Sequence, residues 1–378
     1  MVSEPEIMNK RIVIILPAAL IVGALVYHLG HRDAAPEAPP QPIRQPAATA
    51  SAFLRPPGTG PARKKLDVPP EQPTESGVPA NLYARLLAGE EIPPLTLEQI
   101  GPYLEENHRD AESLVAGYLV AGHQKALLEE AKQKYPNDPH VAYFAAVKAD
   151  SPDERQQWVN AFKQAAPDNP LPNYLSALDH FKYQQAGAAL QDLAVAAMQP
   201  KYQDYSVDFI QSSMEAYLAA GYSEVDAKGV AGAELILPQL AQLKQLGVNL
   251  AEYEKSAQQA GDTASAQAAM QAGMTMGQRL EEQGGGNVLI TDLVGIAVER
   301  LALGAMDPTS AYGDSGQTVQ DQIDQAVGRR QAIRAMVDQF QAIEPEISEP
   351  DMVSYFDRRM TSGEMAAEQW VIRKYGAK

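Results

Sequence analysis

The sequence predicts an all-α protein: one N-terminal transmembrane helix, a disordered Pro-rich linker, and then a solenoid of antiparallel helix hairpins. Three observations predict it. Residues 12–30 are apolar on every face. The stretch after them carries twelve prolines between Ala34 and Ala80 and almost no apolar periodicity. From residue 81 onward apolar residues recur at three- and four-residue spacing without β-branched alternation, the pattern of packed helices.

The apolar run Ile12–Tyr27 (IVIILPAALIVGALVY), extended to Gly30, gives a helix of about 28 Å, just enough to cross a bilayer. Pro17 falls in its first turns, where a lost backbone hydrogen bond costs least, and Gly23 is ordinary in a membrane helix. A cleaved signal peptide needs small residues directly after the run, but His28-Leu29-Gly30-His31-Arg32-Asp33 stands there, and Ala48-Thr49-Ala50 comes too late. An uncleaved anchor is the expectation. Lys10 and Arg11 before it, against Arg32 alone just behind it, put residues 1–11 in the cytoplasm and the bulk of the chain outside, periplasmic where the cell has two membranes.

Residues 31–80 cannot bury enough surface to fold and read as a tether. It spans roughly 40 Å as a coil and about 145 Å as extended polyproline. Arg55-Pro56-Pro57 and Arg63-Lys64-Lys65 are read as solvated parts of it rather than docking motifs.

The chain has a net charge of -17, and residues 81–378 hold 23 basic against 41 acidic residues. That balance repels nucleic acid and anionic headgroups, which need clustered Lys and Arg. There is no cysteine, so disulfides, thiolate metal sites, Cys nucleophiles and lipobox lipidation are excluded together, and the fold stands on its apolar core.

Helices are expected near 81–90, 96–106, 110–121, 124–135, 139–150, 152–166, 170–184, 187–199, 205–220, 223–247, 249–260, 262–283, 287–305, 317–342, 349–360 and 362–375. Ser151-Pro152-Asp153-Glu154 reads as a full capping box, Thr96 to Gln99 and Ser223 to Asp226 as weaker ones, and Asp110 as an N-cap. The most hydrophobic later stretch, Val288 to Met306, is broken by Asp292, Glu299 and Arg300 and reads as a buried helix. Residues 81–306 form the repeat body and 307–378 a C-terminal helical cap or small module.

Short helices with tight turns stack as hairpins, and these hairpins repeat. Tyr135-Pro136-Asn137-Asp138-Pro139 recurs as Ala166-Pro167-Asp168-Asn169-Pro170, and the same offset of 31 carries Tyr143, Ala146 and Val147 onto Tyr174, Ala177 and Leu178. Tyr174, Ala177, Leu178, Phe181, Gly187, Leu193, Ala197 and Pro200 give the fullest pattern, with a further recurrence at Tyr253, Gly261, Asp262 and Ala266. This pattern resembles the tetratricopeptide repeat superfamily over about residues 110–200, in a degenerate form: the offset is shorter than usual, and Asp150 and Phe162 depart from it. In any such stack each hairpin buries its apolar faces on its neighbours, and Gly273 and Gly277 suit close helix approach.

Signals for chemistry are weak. None of His28, His31, His108, His123, His140 and His180 has metal-ligand spacing. His108-Arg109-Asp110 resembles a kinase catalytic loop without its companions, and no phosphate loop is present. Met270, Met274 and Met276 suit core packing better than a soft-metal site. Glu105-Glu106, Glu129-Glu130 and Glu281-Glu282 point about 100° apart on their helices and cannot converge on one bond.

The expectation is therefore a membrane-anchored scaffold for protein partners at the bacterial envelope, not an enzyme, with no cofactor, metal, nucleic acid or small-molecule ligand. An envelope hydrolase of peptidoglycan type or a purely structural spacer are the alternatives. The resemblance implies a concave groove along the first helices of the hairpins, and helical spacing assigns it Phe144, Lys148, Leu175, Asp179, Lys182 and Tyr183. For topology, a reporter active only outside the cytoplasm, fused after Lys378, should be active on a full-length product; loss of about 3 kDa on export would show cleavage instead.

Overall fold

The computed structural model describes residues 81–233, 237–283, 288–313 and 316–376. The expected anchor at 12–30 and linker at 31–80 lie outside the described residues. Among the described residues no helix is long and apolar enough to cross a membrane.

The fold is all-α. Helices α1 (Leu82–Leu87) and α2 (Leu97–Glu106) lead into three consecutive hairpins. They are α3 (Ala111–Val120) with α4 (Lys125–Lys134), α5 (Pro139–Lys148) with α6 (Pro152–Ala165), and α7 (Leu171–Lys182) with α8 (Ala186–Met198). A fourth pairs α9 (Ser206–Ala219) with α10 (Glu224–Ala233). Three longer helices then pack on one another: α11 (Pro238–Gln259), α12 (Thr263–Gln283) and α13 (Leu289–Leu303). The segment after Asp307 contains a two-residue antiparallel bridge, β1 (Ala311–Tyr312) with β2 (Gln317–Thr318). Helix α14 (Val319–Ile343), a 3-10 turn at Glu344–Glu346, α15 (Glu349–Ser362) and α16 (Glu364–Tyr375) complete the chain.

Helix starts follow local chemistry. Thr96 and Gln99 make a complete capping box, and the Asp110 carboxylate accepts from the Ser113 amide. At Ser151 only half of the expected box forms: the hydroxyl accepts from the Glu154 amide, while the Glu154 carboxylate accepts from the Asp150 amide instead. One boundary differs by more. Helices were expected at 223–247 and 249–260, but α10 ends at Ala233, α11 begins at Pro238, and α11 runs straight through Gly247. Proline at the first helical position sets the start and pushes Leu237 out of helical geometry. Gly247 is no breaker because it is a contact surface: a Cβ there would stand 3.0 Å from Val298 Cγ2 on α13.

The same device recurs through the three-helix unit. A Cβ on Gly273 would meet Ala302 at 3.0 Å, and a Cβ on Gly277 or Gly295 would run into the other glycine's carbonyl oxygen at 2.8 or 2.6 Å. Backbone lies on backbone here, so α12 and α13 approach as closely as helices can. The placing of Gly273 and Gly277 agrees with the close approach expected of them.

The hairpins stack through α3 on α5 and α6 on α7. Tyr143, Ala146, Tyr174 and Ala177 are all buried at their equivalent positions. The later helices do not extend this stack but fold back over it: α9 lies on α2 and α3, α11 on α7, and α12 on α8. The first helices of the hairpins are thereby covered by the chain's own C-terminal half.

The glycine contacts make a paired test. Gly277→Ala should cost about 1–3 kcal/mol by driving backbone apart, whereas Gly328→Ala in α14, where nothing lies within 4 Å, should stabilise by about 0.5–1 kcal/mol. Chemical denaturation of both variants reads the signs, and equal signs would contradict the packing.

Candidate functional site

The six residues assigned to a concave groove do not form one open surface. Phe144 and Leu175 are core residues. The Phe144 ring meets Phe209 of α9 edge-on at 4.6 Å between centroids, and it also touches Tyr118 and Tyr143. This corrects the groove assignment at both positions: the helix face predicted to be open is occupied by α9 and α11. Lys148 is half-buried, which lowers its pKa. Asp179 is half-buried and accepts from Arg155 at 2.7 Å and from Lys182 at 2.9 Å. Only Lys182 and Tyr183 stand exposed.

The covering interface is both aromatic and polar. The Tyr143 hydroxyl donates to Gln239 Oε1 at 2.6 Å, and Gln239 Nε2 donates to Asp204 at 3.3 Å. Asp204 is buried, which pushes its carboxyl up, and it also accepts from the Ser206 amide. Arg155 of α6 spans three elements, binding Asp179, the Ala146 carbonyl oxygen and Gln242 of α11. A sequence signal for this cover existed: Tyr202 and Tyr205 just before α9 and Phe209 in its first turn gather aromatic groups that need an apolar partner.

His140 is the most perturbed histidine in this region. Its two ring nitrogens bind Asp138 at 3.2 Å and Asp208 of α9 at 3.1 Å, and its ring lies against Tyr205 and Phe209. Burial works against the charged ring, but the two carboxylates outweigh it and raise the pKa to about 9. With both nitrogens taken by carboxylates, the imidazole clamps α5 to α9.

The other motifs are absorbed by structure. Arg109 pairs with Glu130, Glu129 with Lys132, and Glu281 with Arg329. Met274 and Met276 are buried, and Met270 packs beside Met274. Among the described residues no three His, Asp or Glu side chains come together as a metal-binding group.

Exposed large apolar groups concentrate at the third hairpin. Of the five among the described residues, Tyr183, Val195 and Met198 belong to α7–α8 and its turn, with Met198 at 77% exposure. Arg279 of α12 binds the Ala196 and Ala197 carbonyl oxygens and so covers one flank of α8. Gly187, Gln191, Ala194, Val195 and Met198 leave the opposite flank exposed. The one charged residue of α8, Asp192, is turned to Lys163 and His180. The exposed flank is therefore uncharged. Compared with protein-family models, curated proteins and solved structures, the chain matches none.

The clamp carries a pH dependence. A histidine whose folded pKa lies above its unfolded value near 6.5 stabilises fully below that value and loses the effect as pH rises to about 9. The melting temperature should fall across pH 6.5–9 by an amount on the order of 1–3 kcal/mol in stability, and His140→Gln should flatten this slope. A slope unchanged by the substitution would contradict the clamp.

Proposed function

We propose that the chain is a membrane-anchored helical-repeat scaffold that holds a protein partner on the outer side of the bacterial cytoplasmic membrane, with α8 as the contact surface. The reading rests on the uncharged, exposed flank of α8. In a tetratricopeptide-like stack the first helices present the peptide groove. Here their face is filled by α9 and α11, and the apolar surface left over lies on the second helix of the third hairpin. A flank about 20 Å long, carrying Val195 and Met198 at one end and glycine and alanine along it, suits the apolar stripe of a partner helix. Small residues let the partner backbone approach, and Met adapts to its surface. Tyr183 and Lys182 at the α7 end provide an aromatic and a charged edge. The expected tether of residues 31–80 gives such a surface reach away from the bilayer.

A photo-crosslinking amino acid placed at Gln191 or at Met198 in the full chain should give the same single protein adduct in cells, and one at the exposed Glu252 of α11 should not. Val195→Glu with Met198→Glu should remove the adduct while changing stability by no more than about 0.5 kcal/mol, as befits exposed positions. Adducts that survive the double substitution would sink this reading.

A further inference from the structure

Next to the glycine contacts of α12 and α13 lies a small apolar cluster separate from the main core. Met274 of α12, Ala302 and Leu303 of α13, and Val319 at the start of α14 are buried together in it. Met270, Met306 and Tyr312 are half-buried and pack against them. Three thioethers therefore meet at one rim of the body. Sequence spacing groups Met270 and Met274 with Met276, but Met276 belongs to the main core and is buried there. The fold puts Met306 in its place.

Register explains the meeting. A Cβ on Gly273 would stand 3.0 Å from Ala302 Cβ, and one on Gly277 would meet Glu299 and Gly295, so α12 and α13 run antiparallel with Gly273 level with Ala302. One turn outward from that level leads back along α12 to Met270 and forward along α13 to Met306. The Ala305 and Met306 amides donate to the Ala302 and Leu303 carbonyl oxygens, so the chain turns tightly past the end of α13 and keeps Met306 there. Met270 and Met274, four residues apart, share one face of α12.

Ordering a methionine costs more side-chain entropy than ordering a leucine, so three at one spot are a poor choice for packing alone. Their long unbranched side chains let the sulfur atoms converge, and thioether sulfur is a soft ligand that selects Cu(I). The residues of the cluster offer no imidazole, thiolate or carboxylate, the groups that zinc and harder ions need. The half-buried rim leaves an ion a path from solvent, and the net negative charge of the chain favours the approach of a cation.

We propose that Met270, Met274 and Met306 bind a single Cu(I) ion through their thioether sulfurs. Tyr312 of β1 packs on the same cluster and sets an aromatic ring beside the ion. This site is separate from the α8 surface and does not rest on it.

The full-length protein in detergent, titrated anaerobically with Cu(I) held by the coloured chelator bicinchoninate, reads the affinity. One Cu(I) per chain should leave the chelator, a tenfold excess of Zn(II) should not compete, and copper X-ray absorption should show a first shell of sulfur. Met270→Leu and Met306→Leu conserve side-chain volume and so the fold, which circular dichroism checks. Each should weaken Cu(I) binding at least tenfold, while Met198→Leu, at the most exposed methionine among the described residues, should leave it unchanged. Binding undiminished in a folded Met306→Leu variant, or weakened equally by Met198→Leu, would overturn the proposal. So would a wild-type protein that takes no Cu(I) from the chelator or holds it through nitrogen and oxygen, results that stand whether or not the variants fold.

Discussion

Phe209 of α9 sits edge-on against Phe144 and parallel to Tyr143, while Tyr205 lies beside Phe162 and under the His140 ring. Each such pair contributes about 0.5–1.5 kcal/mol beyond the area it buries. The cluster closes around a hydrogen-bonded chain, Tyr143 to Gln239 to Asp204. Everything after α8 depends on this junction. It turns the chain back over its own first helices, fixes where α11 begins its run along α7, and sets the position from which α12 reaches α8. A helical stack that would otherwise present a groove thus becomes a filled body, and its remaining apolar surface is displaced to one outer helix.

The second half is held by a different means. Gly247, Gly273, Gly277 and Gly295 let α11, α12 and α13 approach to backbone contact, so packing there comes from closeness rather than large side chains. Arg329 of α14 ties this unit down by binding both Glu281 and Glu299. Burial, with Glu281 beside it, raises Glu299 to about 7. The last helices carry a small core of their own, Phe340, Met352, Tyr355 and Phe356, onto which Tyr83 from the first helix also packs. The beginning and end of the described chain are thereby joined through one tyrosine, which bonds Glu344 and rests on Gly229.

Much of this was legible in the sequence. Helix class, most boundaries and the equivalent burial of Tyr143 and Tyr174 follow from period and caps, which are local properties. Gly273 and Gly277 were legible as contact residues because their small size at helical spacing has few other uses. Gly247 was not: its local signal is that of a breaker, and only Val298, fifty-one residues later, explains it. Phe144 and Leu175 failed in the same way. Helical spacing turns them about 100° away from Tyr143 and Tyr174, but whether that side is open depends on which distant helix returns to it. Met270 and Met274 share a helix face that the sequence shows, but Met306 joins them only because α13 returns along α12.

The central claim is that α9 closes the face of the hairpin stack, and a double-mutant cycle tests it most directly. Phe144→Leu, Phe209→Leu and the double variant should each unfold cooperatively. The account predicts a coupling energy of about 0.5–1.5 kcal/mol between the two positions, as for a buried edge-to-face pair. Strictly additive losses, with no coupling, would mean that α9 does not rest on α5 and that the face of the first helices is open after all.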